Sequence, residues 1–353
     1  MSGIKEKMAP TIAELEANSP LPEMHELETK QPTISIVGCG GCGINLIKKF
    51  CSSHAKFDTE IRLSVIDTSM SNTQQLPSIV KVYGIGNLGS GKDRSKNEDA
   101  IEKFLENNKK LVSDATDITI IMFSMAGGSG SVIGPLLAHR LMRSDNRAVI
   151  LIGVVDIASE RDCQNSIATL ETCSDFAVNG KYYLPLMLFS NIEVGRVAVN
   201  MSIISRLNEL IDMLSDKSIT EVDYTDKMNY LRPTNIGCPP GCFILSITAS
   251  DPDKGEDLAG ETTCDLEPGD RVHAMFVVND TGKTPRLKTT ASYVGISDTK
   301  KYFSTIGTAI PNTIYTELKA TDEGYRHSKI TTDDTADKFD GIEKVVGKSG
   351  TVL

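Results

Sequence analysis

Two glycine-rich segments, about ninety residues apart, constrain the fold of this chain more than any other feature. They are Gly38–Gly43 (GCGGCG) and Ala126–Ser131 (AGGSGS), and each follows a run of β-branched residues and precedes a helix-like stretch. Backbone amides at a helix N-terminus bind phosphate oxygens, because their unpaired N–H groups and the helix dipole point the same way. One such loop is common, whereas two predict a polyphosphate that is held from both sides.

The composition indicates a globular protein with more than one domain. A chain of 353 residues is too long for one core of ordinary size, so two domains plus tails are expected. No apolar run approaches the roughly 20 residues of a membrane span, and residues 1–30 lack the pattern of a secretory signal. The net charge of −10 disfavours direct contact with nucleic acid. We therefore expect a cytoplasmic protein with no membrane contact and with any link to DNA through an adaptor.

Eight cysteines are scattered along the chain, which favours free thiols in a reducing compartment. Cys39-x-x-Cys42 and Cys238–Cys242 each resemble half of a zinc site, but no histidine lies near either pair in sequence. We therefore expect no structural metal.

Apolar strands alternate with helical segments from Thr33 to about Leu214, which predicts an α/β fold with a parallel sheet covered on both faces. The predicted strands are Ile34–Val37, Leu63–Ile66, Ile118–Phe123, Val149–Val155 and Leu184–Phe189. The predicted helices are Ile44–Cys51, Lys96–Val112, Val132–Met142 and Cys163–Cys173. Both glycine segments then fall at the carboxyl ends of strands, where ligands of such sheets bind.

Val194–Leu214 is the strongest single helix prediction, a long central helix whose apolar stripe includes Val197, Met201 and Ile204. After Pro233, a second and smaller mixed α/β domain is expected. Its predicted elements are strands at Phe243–Ala249, Val272–Val278 and Thr290–Ile296 and a helix at Thr299–Ile306. The predicted organisation is a flexible arm (1–32), a nucleotide-binding domain (33–193), the central helix with the following loop (194–232), the second domain (233–320) and an acidic mobile tail (321–353).

The first glycine segment has two interpretations. Gly38, Gly40 and Gly43 satisfy the dinucleotide fingerprint G-x-G-x-x-G, and Asp67 ends the next strand where a ribose-binding carboxylate belongs. An NAD-dependent Rossmann oxidoreductase is therefore one alternative. Such an enzyme has no use for the second glycine segment or for Gly89–Lys92 (GSGK) between them, whereas a triphosphate needs several such loops. The Walker sequence of P-loop enzymes is absent.

The segment Ala126–Ser131 resembles the signature phosphate loop of the tubulin/FtsZ superfamily, usually G-G-T-G-[ST]-G. Ser129 keeps the hydroxyl of the usual threonine, and Val132 stands where a final glycine is common. The resemblance extends along roughly residues 33–310. Gly89–Arg94, Met125-Ala126 and Tyr293–Ser297 are more similar to phage- and plasmid-borne tubulin-like GTPases than to cell-division FtsZ.

The resemblance implies binding of GTP or GDP with Mg²⁺. Asn45, Asn191 and Asn200 carry amides that can both donate to and accept from the guanine edge, although Asn191 could equally be a helix cap. Lys92 is either a positive charge near the γ-phosphate or a solvated loop lysine. The implied nucleotide-binding residues are Gly40, Gly41, Cys42, Asn45, Asp67, Thr68, Gly89, Ser90, Gly91, Lys92, Ala126, Gly127, Gly128, Ser129, Gly130, Ser131, Glu160, Asn191 and Asn200.

The acidic stretch Glu221–Asp226 resembles the family's synergy loop, in which two acids three apart enter the nucleotide site of the next subunit. Asp223 and Asp226 are thereby implied as catalytic residues, and Glu221 stands where the family often has asparagine. A solvated acidic surface loop is the alternative. The implied function is an assembly-activated GTPase whose head-to-tail filaments position or segregate phage or plasmid DNA in the cytoplasm of a bacterial or phage-infected cell. A DNA-binding adaptor or a phage particle is the implied further partner. A nucleotide-binding structural subunit that never hydrolyses is a further alternative.

Overall fold

The structure, a computed structural model, describes residues 30–53, 55–86, 89–108, 111, 116–143, 147–191, 195–233, 238–250, 272–279, 291–309 and 314–327. The predicted arm, apart from residues 30–32, and most of the predicted acidic tail lie outside these residues. None of the described helices is both long and apolar enough to cross a bilayer.

Six parallel strands form the first part of a sheet that contains ten strands in the described residues. Their order is β3-β2-β1-β4-β5-β6. The five predicted strands are confirmed. Their apolar runs, such as AVILIGVV in β5, were recognisable because these strands are buried on both faces. β3 was missed: it is an edge strand with three of its five residues exposed, so it lacks an apolar run. The strands are β1 (Ile34–Cys39), β2 (Ile61–Asp67), β3 (Val80–Gly84), β4 (Ile118–Ser124), β5 (Ala148–Val155) and β6 (Tyr183–Ser190).

Helices cover both faces of this sheet and bury a separate apolar cluster on each. One cluster contains Ile44 and Ile47 of α1, together with the buried face of α5 and the end of α6. The other contains residues of α2, α3 and α4, such as Leu137 and Leu170. The helices are α1 (Gly40–Ser52), α2 (Glu98–Asn107), α3 (Gly130–Met142), α4 (Glu160–Gly180), α5 (Arg196–Ser215) and α6 (Tyr224–Leu231).

The central helix α5 is confirmed, but its predicted apolar stripe is wrong over the first turns. Val197 and Met201 are 67% and 66% exposed. The buried face instead runs through Val199, Ile203 and Leu207, which recur at the same helical spacing. Periodicity indicates a stripe but not which of two adjacent stripes meets the sheet.

The sheet continues without a break beyond β6, because Tyr183–Leu186 of β6 pairs in parallel with Gly241–Ile244 of β7. The order of the added strands is β7-β10-β8-β9, with β10 antiparallel to both of its neighbours. They are β7 (Gly241–Ser250), β8 (His273–Val278), β9 (Ala291–Ile296) and β10 (Lys301–Ala309).

The predicted helix at Thr299–Ile306 is wrong, because this segment forms β10. The sequence KYFSTI is rich in aromatic and β-branched residues, which favour a strand. Phe303 and Ile306 are buried, and the backbone pairs with β7 on one side and β8 on the other. Central position in the sheet therefore decided the structure.

A helix over residues 314–327, called α7 below, packs on α4. The Cys163 thiol donates to the Leu318 carbonyl at 2.7 Å, and Gln164 Nε2 donates to Asp322 Oδ1 at 2.9 Å. The helix crosses the predicted boundary at residue 320. The expectation of a mobile tail is therefore wrong for residues 321–327.

Candidate nucleotide-binding site

The two glycine segments meet at the point where the winding of the sheet reverses. β1 and β4 are neighbours, and the chain proceeds from β1 to β2 and β3 on one side, and from β4 to β5 and β6 on the other. Ligands of open α/β sheets bind at the carboxyl ends of strands at such a switch point. The first segment joins β1 to α1, and the second joins β4 to α3. The structure thus brings both segments to one edge of the sheet.

Close backbone packing explains the glycines. A Cβ on Gly40, which has a φ of +68°, would lie 2.7 Å from the backbone nitrogen of Gly130. A Cβ on Gly130 would lie 2.6 Å from the carbonyl oxygen of Cys39, and one on Gly128 would lie 2.2 Å from Ser90 Oγ. Any side chain there would push apart the three loops, so the loops form a single cradle of backbone groups.

Two helices point uncapped N-termini at this cradle. α1 begins at Gly40 and α3 begins at Gly130, and no N-cap side chain accepts a hydrogen bond from the first turn of either helix. By contrast, α4 is capped, because the Ser159 hydroxyl accepts from the amide of Asp162. The unpaired amides of α1 and α3 are therefore the ones suited to phosphate oxygens.

A cavity of about 210 Å³ lies between these loops. Eleven of the predicted nucleotide-binding residues line it, together with Cys39, Ser69, Asn72 and Ser124, which were not predicted. The predicted residues at this cavity are Gly40, Gly41, Cys42, Asp67, Gly89, Ser90, Lys92, Gly127, Gly128, Ser129 and Gly130. Its donor-rich, glycine-rich wall fits the phosphate groups of a nucleotide.

A second cavity of about 230 Å³ adjoins the first, and both are lined by Cys42, Lys92, Ser124 and Gly127. The predicted base-reading residues Asn45, Asn191 and Asn200 line it, as does Ala126. Sequence reasoning missed Asp156, Asp162 and Arg196, which also line it. A signal existed for Asp156, a polar residue directly after the buried strand β5, but none marked Asp162 within α4.

Four predicted residues line neither cavity. Thr68 and Ser131 instead make hydrogen bonds to the second glycine segment. Thr68 Oγ1 lies 2.5 Å from Ser129 Oγ, and the Ser131 hydroxyl donates to the Gly127 carbonyl. Gly91 forms a turn with a φ of +59°. Glu160 lies in the first turn of α4 outside both cavities.

Lys92 is ion-paired, although its side chain is 53% exposed. Its ammonium donates to both carboxylate oxygens of Asp162 at 2.7 and 2.8 Å, and the Ser159 hydroxyl donates to the same carboxylate at 2.6 Å. The Asp162 side chain is only 5% exposed. Lys92 itself has a φ of +63°, a backbone conformation that L-residues rarely adopt. The anchored cation therefore stays at the boundary of the two cavities.

Burial raises the pKa of two titrating groups that line the phosphate cavity. Burial raises the pKa of Asp67, against hydrogen bonds from the Thr68 amide and Ser129 that lower it. Burial also raises the pKa of Cys42 to about 11, so the thiol is neutral at physiological pH, with Arg196 and Asp156 acting in opposite directions. Among the described residues, no three His, Cys, Asp or Glu side chains form a metal-binding group. Mg²⁺ commonly binds through one carboxylate plus phosphates, and Asp67 fits that mode.

The predicted catalytic acids lie at the other edge of the sheet. Tyr224 of α6 donates to Asp117, just before β4, at 2.8 Å. Lys227 donates to Gln31, just before β1, at 2.7 Å. Asp223 and Asp226 are therefore near the amino ends of the strands, whereas the glycine loops are at the carboxyl ends. The structure does not bring these acids to the nucleotide cavities of the same chain.

Asp223 and Asp226 also have a structural role. Asp223 Oδ1 accepts from the amide of Asp226 at 2.9 Å, and Asp226 Oδ2 accepts from the amide of Asp223 at 3.2 Å. This reciprocal pair is the capping box that starts α6. The side chain of Asp223 is nevertheless exposed, as is that of Glu221, which has a φ of +64°.

Residues 33–177 match the sequence model of the Tubulin/FtsZ family, GTPase domain. This part of the chain is therefore similar to the GTPase domain of that family. The match covers β1 through most of α4, which includes both glycine segments.

The curated relatives within this class include phage tubulin-like proteins. The chain is 24% identical over 247 residues to the one from Pseudomonas phage 201phi2-1, across 68% of this chain and 75% of the relative. It is 26% identical over 201 residues to the one from Pseudomonas phage phiKZ, across 54% of this chain and 60% of the relative. The fold matches a TubZ protofilament from bacteriophage PhiKZ with a TM-score of 0.68 at 20% identity, over 84% of this chain and 92% of that one. The GDP complex of the phage tubulin PhuZ gives the same TM-score at 19% identity, over the same shares of the two chains.

Proposed function

We propose that this protein forms head-to-tail filaments and hydrolyses GTP where two copies meet. One copy binds GTP at the carboxyl edge of its sheet, and the next copy supplies Asp223 and Asp226 from its amino edge. The observation that carries the proposal is the placement of nucleotide cavity and acids at opposite edges.

Distance supports a site shared between copies. β1 has six residues and, at about 3.3 Å per residue, spans roughly 20 Å. The acids of one chain therefore lie too far from its own glycine loops to act there. Stacking copies edge to edge brings the two groups together, and such a contact between unlike surfaces does not close on itself but continues into a filament.

The chemistry follows from the groups at each edge. The backbone amides of the cradle and the Lys92 ammonium bind and orient the phosphates. Bound at the Asp67 side of the cradle, Mg²⁺ would neutralise charge on the phosphate oxygens. A carboxylate repels phosphate but can orient and deprotonate a water molecule beside the γ-phosphate, which is the role proposed for Asp223 and Asp226. Release of the γ-phosphate would weaken the contact between copies.

The relatives support a role in a phage-infected bacterial cell. Two solved neighbours are described as a TubZ protofilament from bacteriophage PhiKZ and a PhuZ201 filament. We propose that filaments of this protein act in the cytoplasm, where they position or segregate phage or plasmid DNA. The cargo would be attached through a DNA-binding adaptor or a phage particle, because the net charge of −10 disfavours direct contact with DNA.

Asp223→Asn tests the catalytic role without removing the helix cap, because asparagine caps as well as aspartate does. We expect GTP-dependent light scattering to persist while phosphate release falls about 100-fold or more, since the amide cannot act as a base. Glu221→Gln, an exposed neighbour in the same loop, is the control and should hydrolyse normally. Equal hydrolysis by Asp223→Asn and the wild type would refute the catalytic role.

Mixing two inactive variants tests whether the site is shared. Asp223→Asn keeps an intact nucleotide cradle, whereas Gly128→Ala, whose added Cβ would collide with Ser90, keeps intact acids. If the acids act on the neighbour's nucleotide, the mixture should regain part of the wild-type phosphate release. A mixture as inactive as its components, with both variants folded by thermal melting and present in the filaments, would contradict a shared site.

The alternatives are separated by nucleotide identity. GTP should raise the melting temperature with the logarithm of the ligand excess, whereas protection by NAD⁺ instead would indicate the oxidoreductase. Filaments that retain intact GTP indefinitely would indicate a structural subunit that does not hydrolyse.

A further inference from the structure

We propose that Asp156 sets base selectivity by holding the amide of Asn191 in one orientation, so that the site favours a purine with a 2-amino group. This inference rests on the proposed binding of GTP and assigns a positioning residue to the base cavity. Asp156 does not need to touch the nucleotide to act in this way.

Asp156 is held firmly at the carboxyl end of β5. It is 8% exposed. Its backbone N–H donates to Ser166 Oγ at 3.2 Å, and its carbonyl accepts from the same hydroxyl at 3.1 Å. Carboxylate oxygen Oδ1 accepts from the amide of Ala158 at 3.0 Å. These bonds leave Oδ2 directed to the side chains of the base cavity.

Oδ2 accepts from two side chains of the same cavity. Asn191 Nδ2 donates to it at 3.3 Å and Arg196 Nη2 at 3.4 Å. An ionised carboxylate only accepts hydrogen bonds, so the amide nitrogen of Asn191 must be the atom that faces Asp156. The amide oxygen of Asn191 is then directed away from Asp156. The Asn191 backbone is also fixed, because its N–H donates to the Val155 carbonyl at 3.1 Å.

The fixed amide distinguishes purines by their hydrogen-bonding edges. Guanine carries donors at N1 and at its 2-amino group, hypoxanthine lacks the 2-amino group, and adenine carries an acceptor at N1. An outward amide oxygen can accept from the 2-amino group of guanine, whereas adenine has only hydrogen at C2 and carries its amino group at C6 instead. An amide free to turn over would present its NH₂ group instead and would lose this distinction. Unpaired polar groups in a cavity typically reduce affinity by five- to a hundredfold.

The test compares affinities for GTP, ITP and ATP by titration calorimetry with wild type and Asp156→Asn. Asparagine at this position can both donate and accept, so the Asn191 amide can turn over. We expect the wild type to bind GTP at least fivefold more tightly than ITP, and Asp156→Asn to lose most of that ratio through weaker GTP binding. Asp175→Asn, an exposed aspartate on α4, is the matched control and should keep the ratio.

A double-mutant cycle separates positioning from direct contact. If Asp156 acts through Asn191, Asp156→Asn should not change the GTP-to-ITP ratio further in an Asn191→Ala background. A wild type that does not distinguish GTP from ITP, an unchanged ratio in Asp156→Asn, or a full effect in the Asn191→Ala background would each overturn the inference. In all three cases GTP binding and assembly could still be intact, whereas a wild type that binds no GTP would refute the proposed function itself.

Discussion

Ser129 shows how one hydroxyl joins two loops of the cradle. It is 8% exposed, lines the phosphate cavity, and its Oγ lies 2.5 Å from Thr68 Oγ1, which is 3% exposed. The sequence indicated that Ser129 keeps the hydroxyl of the usual threonine but not which group that hydroxyl meets. Thr68 was predicted from its order in the chain, yet a motif cannot distinguish a residue that touches ligand from one that supports the loop behind it. The sequence therefore predicted which loops form the site better than the role of each side chain.

Ser129→Ala should destabilise the fold, because the buried hydroxyl of Thr68 loses its partner. We expect a loss of about 1–3 kcal/mol in the free energy of unfolding, measured by urea denaturation. Ser71→Ala is the control: its hydroxyl also pairs with another serine, Ser69, at 2.9 Å, but on the exposed surface. Equal stability losses in the two variants would show that burial of the Thr68–Ser129 pair has no special effect.

At the level of elements, the sequence predicted what is buried and repetitive. β5 is apolar along its whole length and α5 has a clear helical period, so both were found. β10 and the exposed first turns of α5 depended on neighbours distant in sequence: β7 and β8 made KYFSTI a strand, and the sheet selected one of two stripes on α5. Such pairing cannot be read from a local pattern, because the same residues fit either structure until the partner is known.

The join between α5 and β10 rests on Lys300, whose ammonium donates to Asp212 at 2.9 Å and also to Asp216. Burial alone would raise the pKa of Asp216, but hydrogen bonds from Lys300 and Ser218 outweigh it and lower the pKa. Burial likewise opposes, but does not cancel, the rise in the pKa of Lys300 caused by the two carboxylates.

Lys300→Met should therefore destabilise the protein in a pH-dependent way. A lowered carboxylate pKa contributes stability above the ordinary aspartate value near pH 4, and that contribution is lost as the pH falls through the lowered pKa. We expect a loss of about 1–2 kcal/mol at pH 7, allowing for solvent screening of the partly exposed lysine, and a smaller difference from wild type at pH 3. Urea denaturation at both pH values measures it, with Lys301→Met as the control. A difference that does not shrink in acid would exclude the ion pair as its cause.

At the level of the whole molecule, an exposed apolar pair lies beside the nucleotide cavity. Val197 and Met201 are exposed residues of α5. Each directly follows a residue that lines the base cavity, Arg196 and Asn200 respectively. Exposed apolar groups of this kind mark interaction surfaces when they cluster at a functional edge. In the proposed filament this edge meets the acids of the next copy, so these side chains would be covered on assembly.

Met201→Glu should block assembly without abolishing nucleotide binding, because a carboxylate in the covered contact loses its hydration. We expect calorimetric GTP affinity within a few-fold of wild type, no light scattering, and phosphate release reduced to that of dilute protein. Val178→Glu, a comparably exposed position on α4, is the control and should assemble normally. Normal assembly by Met201→Glu would place the contact elsewhere.

The opposite placement of cradle and acids would give the two ends of a filament different lifetimes. At one terminus the last copy would hold GTP with no acid above it, so that nucleotide would survive until another copy is added. At the other terminus the last copy would offer acids to no nucleotide, while the contact just inside it ages with every turnover. Growth and loss would then favour different termini, and a cargo tied to one of them would be carried in a single direction.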